Sequence, residues 1–170
     1  ELPAGSGWLL VEVADREPGD ALARARALAA AAGTSAVRVL QAGPEARAIW
    51  RIREVGAGLA GRTQSNRQAW PGLEDAAVPP ENLGKYLRDF EQLTASYGIE
   101  GMPYGHFGDG CVHVRLDIPL EHDGSVLRSF MTDAAQLVAG YGGSLTGEHG
   151  DGRARSELLS YLYSPRMLEV

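Results

Sequence analysis

The dipeptide Asp109-Gly110 stands between two strand-like runs, residues 104–107 and 112–118, and it constrains the fold more than any other stretch. Asp-Gly is a favoured two-residue hairpin turn, because that turn needs positive φ and both residues tolerate it. A two-residue turn sets Gly108 opposite Cys111, Phe107 opposite Val112, and His106 opposite His113. Directly opposed residues share one face of a sheet, with Cβ atoms about 4.5–5.5 Å apart. Two imidazoles at that spacing can meet one metal ion. They can equally be half-exposed sheet residues with no ligand.

Strand and helix patterns alternate around this hairpin. Residues 8–13 (WLLVEV) and 37–40 read as strands, and residues 75–78 as a short extended piece ended by Pro79-Pro80. Asp20 is expected to cap a first helix that Gly33 stops. Pro44 opens a second helix that runs through Trp50 and Arg53 towards Leu59. Residues 63–72 are polar and aromatic without period and read as a loop. Residues 80–97 form a third helix, with Leu83, Tyr86, Leu87, Phe90 and Leu93 on one face. Residues 127–141 form a fourth, and residues 156–163 a short one. This order predicts an α+β fold, a mainly antiparallel sheet with helices packed on one face.

The chain has 170 residues, of which 44% are hydrophobic, enough for one domain with a sizeable core. Its formal net charge of -6 argues against nucleic acid or an anionic membrane as the main partner. No apolar run approaches the roughly 20 residues that span a bilayer. The single cysteine, Cys111, permits no internal disulfide, which fits a reducing compartment such as the cytoplasm. The first residue is Glu1, not Met, and the chain stops at Val170 just after a helical stretch. Both ends suggest a piece of a longer polypeptide.

A second glycine-rich stretch, GGSLTGEHGDGRARSELL, spans residues 142–159 and holds five glycines between Gly142 and Gly152. Core packing does not explain such a loop, because glycine buries almost nothing and loses much entropy on folding. It makes sense where backbone lies against something flat or bulky. Glu148-His149 sets a carboxylate beside an imidazole, and neighbours in extended chain point opposite ways. Glu148 with His106 and His113 would complete a set of two histidines and a carboxylate with open coordination positions. The bland alternative is an exposed loop with an incidental Glu-His pair. His122 falls in a polar connection and reads as exposed and inert. Cys111 reads as a small packed side chain, with no basic neighbour in sequence to hold a thiolate.

These stretches resemble a known family. GHFGDGCVH is similar to the GHxGDGNxH motif, and GEHGDGRAR to the GEHGxGxxK motif, of the C-terminal domain of FAD-linked oxidases. That group includes D-lactate dehydrogenases, the glycolate oxidase catalytic subunit and D-2-hydroxyglutarate dehydrogenases. Residues 49–60 (IWRIREVGAGLA) resemble its LWxLRE segment, and residues 73–87 (LEDAAVPPENLGKYL) its EDxxVP segment. The likeness is greatest to large bacterial fusions in which an iron–sulfur region follows the oxidase.

The resemblance implies one FAD-linked oxidase C-terminal domain over residues 1–170, ferredoxin-like and duplicated, capping a separate FAD-binding domain of the same parent chain. It implies a divalent ion, zinc or manganese, on His106, His113 and Glu148. His149 would be the catalytic base, and Glu148, His149 and Gly150 would lie against the FAD. Arg53 would bind the carboxylate of a small 2-hydroxy acid. An iron–sulfur region or another electron acceptor would be a further partner, and the respiratory chain could hold such an enzyme against the inner membrane. Three departures stand out. Cys111 replaces the motif Asn, Ala57 lies four residues after Arg53 where some members carry a hydroxyl, and Arg155 replaces the motif Lys with its charge kept.

The chemistry of such an oxidation is demanding. A hydroxyl proton and a hydride leave the same carbon. The hydroxyl is a very weak acid that a metal ion acidifies and an imidazole can then deprotonate. The guanidinium fork suits a carboxylate. No side chain accepts a hydride, and no GxGxxG fingerprint follows a strand here. A flavin or a nicotinamide can accept it, so the acceptor is expected from outside this chain, in agreement with the FAD that the resemblance implies. Two rival classes use the same residues: a metal-dependent hydrolase, and a non-catalytic module that holds a small anion.

Overall fold

The computed structural model describes residues 2–120 and 124–169. The chain divides into two compact units, one through Ala57 and one from Gly58 onward. His122 lies outside the described residues.

The first unit carries α1 (Pro18–Ala31) and most of α2 (Pro44–Leu59). α1 begins at Pro18, two residues before the expected cap. Proline at the first helical position loses no hydrogen bond, and its fixed φ already suits the helix. Asp20 instead sits in the first turn, where its charge complements the helix dipole. Gly33 lies just past the end with φ +67, the left-handed stop the sequence announces. The expected strands at residues 8–13 and 37–40 join no ladder. Their composition favours strand, but a strand exists only where a partner supplies hydrogen bonds, and none among the described residues does. Trp8, Leu9 and Val11 remain exposed.

The second unit holds a small antiparallel sheet, so the chain is α+β. β4 (Cys111–Leu116) is its centre. β3 (Gly101–His106) pairs along one edge. β1 (Trp70–Pro71) and β2 (Ala76–Ala77) share the other. β1 falls inside residues 63–72, read from sequence as a loop. Pro71 is tolerated there because it sits on an edge strand. Pro80–Asn82 form a 3-10 turn that leads into α3 (Leu83–Ser96), and α4 (Ser125–Gly140) follows the sheet. Two short helices, α5 (Gly152–Arg155) and α6 (Pro165–Leu168), flank a 3-10 segment at Ser156–Tyr161. No helix among the described residues is long and apolar enough to cross a membrane.

Alternation along β4 divides its two faces. Val112, Val114 and Leu116 enter the core with Tyr86 and Phe90 of α3 and Phe130, Ala134 and Val138 of α4. Phe130 is fully buried and meets Phe90 and Tyr97 edge-on, with ring centroids 6.3 and 5.5 Å away. Phe130→Ala would cost about 3–5 kcal/mol, the usual loss for a buried aromatic ring. Cys111, His113 and Arg115 point to the opposite face of β4.

Candidate functional site

The hairpin register differs from the sequence expectation. His106 pairs with Cys111, and Tyr104 pairs with His113. The turn is longer than two residues: Phe107–Asp109 wind one 3-10 turn, and Gly110 closes it at φ +75. A register shift of two leaves every side chain on its original face. His106 and His113 therefore become diagonal neighbours on one face, their ring centroids 5.6 Å apart. Tyr104 lies directly across from His113 on the neighbouring strand, with ring centroids 5.5 Å apart.

The second glycine stretch lies over this face. Gly147 is required by close approach: a Cβ there would stand 3.1 Å from Cys111 Sγ and 3.3 Å from both Ala77 Cβ and Asp75 Oδ1. The next residue brings its carboxylate to the histidines. Glu148 Oε1 is 3.5 Å from His106 Nε2 and 3.7 Å from His113 Nε2. His149 stacks on His113, with centroids 5.3 Å apart and planes 21° off parallel. Its Nε2 is 3.9 Å from Glu148 Oε1. An open hollow of about 430 Å³ lies beside these groups, lined by Ala77, His106, Asp109, Cys111, Gly147 and Glu148.

One ligand atom from each of His106, His113 and Glu148 falls within 4.8 Å of the others. Two imidazole nitrogens and one carboxylate oxygen, with the carboxylate side chain 57% exposed, suit a borderline divalent ion that keeps open positions. His113 is buried. Burial lowers its pKa, the neighbouring His149 and His106 push the same way, and Asp75 and Glu148 pull against them. The net effect lowers the pKa and so favours the neutral imidazole, the form that ligates a metal.

A residue not foreseen from sequence underlies the loop. Asp75 is fully buried, and its Oδ2 accepts the backbone N–H of Glu148 at 2.8 Å and of His149 at 2.7 Å. The Cys111 thiol donates to Oδ1 at 3.2 Å. Burial alone would raise the Asp75 pKa. The two N–H groups and the thiol outweigh it and hold the carboxyl below its ordinary value. The same thiol is pushed up to about 12, by burial first and by Asp75 second. Glu74, next in sequence, takes Arg115 on its carboxylate at 2.8 Å and Arg155 on its carbonyl at 3.3 Å. The available signal was an acidic pair inside an otherwise apolar, strand-like run, where Asp is disfavoured.

The remaining expected site residues are placed as follows. Gly150 is exposed on the glycine loop, with φ +79 and nothing within 4 Å of where a Cβ would stand. Arg53 lies exposed on α2 in the first unit. Ala57 ends that unit.

Known proteins resemble this chain along most of its length. The family model described as FAD linked oxidases, C-terminal domain, matches residues 2–170. D-2-hydroxyglutarate dehydrogenase of Pseudomonas putida is 35% identical over 159 residues, covering 89% of this chain and 16% of that protein. D-lactate dehydrogenase of Archaeoglobus fulgidus is 37% identical over 98 residues, covering 56% of this chain and 21% of that protein. The glycolate oxidase subunit of Bacillus subtilis is 29% identical over 89 residues, covering 51% and 19%. The chain spans 10% to 21% of the length of these and other first-ranked curated relatives.

Proposed function

Because the chain belongs to the family of FAD-linked oxidase C-terminal domains, we propose that it is the substrate-binding domain of a flavin-dependent dehydrogenase that oxidises a D-2-hydroxy acid to a 2-oxo acid. The observation that carries the reading is the convergence of His106, His113, Glu148 and His149 on one face of the hairpin. When bound, FAD supplies the hydride acceptor and a divalent ion supplies positive charge beside the substrate hydroxyl.

This chain's residues do the rest. His106, His113 and Glu148 would hold the ion; zinc and manganese both suit the donor set. His149 takes the hydroxyl proton on a ring nitrogen, a task for which an imidazole is matched near neutral pH. Arg53 binds the substrate carboxylate through its planar fork. The exposed rim of Glu148, His149 and Gly150 leaves room for a flat ring, since no Cβ stands at Gly150. The flavin would be held by another domain of the parent chain, and an iron–sulfur region or other electron acceptor would be a further partner. D-2-hydroxyglutarate is the favoured substrate and D-lactate the next, in keeping with the relatives' names.

Dye reduction by the flavin-loaded parent protein tests the reading. D-2-hydroxyglutarate should reduce the dye and its L-enantiomer should not. His106→Ala and Glu148→Gln should each weaken Co²⁺ binding by roughly 100-fold or more, beyond what loss of a supporting residue costs. A folded, flavin-loaded protein that no D-2-hydroxy acid reduces would contradict the proposal. Hydrolysis of an ester or amide by the same protein would favour the rival metal-dependent class.

A further inference from the structure

We propose that Asp75 is a positioning residue: its buried carboxylate fixes the backbone of Glu148 and His149 and so aims both side chains. The inference rests on the roles proposed above for those two residues. Three consecutive amides of the glycine loop end on this one residue. The Gly147 N–H donates to the Asp75 carbonyl at 2.7 Å, and those of Glu148 and His149 share its Oδ2. Hydrogen bonds to a buried charge are among the strongest a protein makes. The loop they hold is otherwise exposed and rich in glycine, with little packing of its own to define a direction.

The ladder is built to deliver Asp75 there. Pro71 pairs with Arg115 and Ala76 with Val112, so the edge chain advances five residues while β4 advances three. The surplus forms a bulge, and bulges re-aim side chains. Asp75 sits in it with φ +124, a conformation that costs a non-glycine residue energy and persists only where surroundings over-determine it. Its own N–H still bonds Val112 at 3.1 Å, so the bulge is anchored from both sides. Asp75 also lies within 4.8 Å of ligand atoms on Cys111 and His113. That cluster is not a second metal site: one carboxylate oxygen is taken by two N–H donors and the other by the thiol. Asp75 acts on the site through the loop it grips, and its Oδ2 also lies 3.9 Å from His149 Nδ1.

The test uses the full-length parent protein and two variants. Asp75→Gly removes the carboxylate without backbone strain, because glycine adopts positive φ freely. Asp75→Asn keeps the shape and one acceptor oxygen. Amide hydrogen exchange at Glu148 and His149 is read against amides of α3 and α4, and affinity is measured with Co²⁺ alone. In Asp75→Gly the two loop amides should exchange at least about 10-fold faster while the helices keep their protection, and Co²⁺ affinity should fall roughly 10- to 100-fold, the range for loss of a group that orients a ligand. Asp75→Asn should recover most of both. Unchanged loop exchange in Asp75→Gly would overturn the proposal. So would a uniform loss of protection or of folding, which would make Asp75 a general scaffold residue, or a failure of Asp75→Asn to recover. If the wild-type protein binds no Co²⁺, the metal-site reading falls, and the exchange data alone decide for or against Asp75.

Discussion

Two glycines in the hairpin turn should respond very differently to the same added methyl group. Gly110 has φ +75, and a Cβ there would stand 1.9 Å from the Val78 carbonyl oxygen. Gly108 has nothing within 4 Å of the corresponding position. In Gly110→Ala the left-handed backbone alone costs about 1–2 kcal/mol. The overlap is with main chain, so no rotamer relieves it, and β2 must move off β4. That movement breaks the bond from Val78 N–H to the Gly110 carbonyl, 3.0 Å long, whose net loss adds roughly 0.5–1.5 kcal/mol. The sum is about 1.5–3.5 kcal/mol. Gly108→Ala should lie within roughly 0.5 kcal/mol of wild type, as surface changes do. Urea unfolding of the two variants beside wild type reads this directly, as shifts in midpoint at constant slope. A Gly110→Ala midpoint equal to wild type, or equal losses in both variants, would refute the reasoning from close approach.

Other expectations follow from the site. In the full-length enzyme His149→Ala should lower kcat by roughly 10²–10⁴-fold, as loss of a general base does, whereas Arg53→Ala should mainly raise KM; near-normal kcat in folded His149→Ala protein would remove the base assignment. With its thiol near pKa 12, Cys111 is only ~10⁻⁴ thiolate at pH 8, so iodoacetamide should label it far more slowly in the native protein than in urea; equal rates would contradict its burial beside Asp75. Asp75 titrates below its ordinary 3.8 in the folded state, so its stabilising contribution is present above about pH 4 and fades as pH falls through the lowered value. The stability difference between wild type and Asp75→Asn, measured by urea unfolding, should therefore narrow between pH 6 and pH 3, and a difference that widens on acidification would have the wrong sign.

Sequence spacing revealed which side of the hairpin the histidines share, because strand parity survives a register error of two. It did not reveal the register. Asp109-Gly110 is a sound two-residue turn in isolation, but here Phe107 and Gly108 are drawn into the turn as well. The strand-like residues 8–13 and 37–40 show the converse: local preference was legible, but pairing is a property of a partner elsewhere. β1 was missed for that reason too, since β4 makes Trp70 and Pro71 a strand. Asp75 was the least visible of all. The Glu74-Asp75 pair was legible within residues 73–87, but the decisive bonds of Asp75 reach 73 and 74 residues along the chain, and those partners were not.

The two faces of β4 also bear on how such a domain can change over generations. Substitutions at Val112, Val114 and Leu116 tax folding, and purifying selection at those positions acts through abundance. Substitutions at Cys111 and His113 meet the glycine loop instead, and under the proposed function selection there would act through turnover. The two pressures alternate residue by residue along six positions of one strand. A lineage can therefore explore new chemistry on the odd-numbered side without surrendering the scaffold on the even-numbered side. Cys111, which departs from the Asn of the motif that the hairpin resembles, lies on the odd-numbered side.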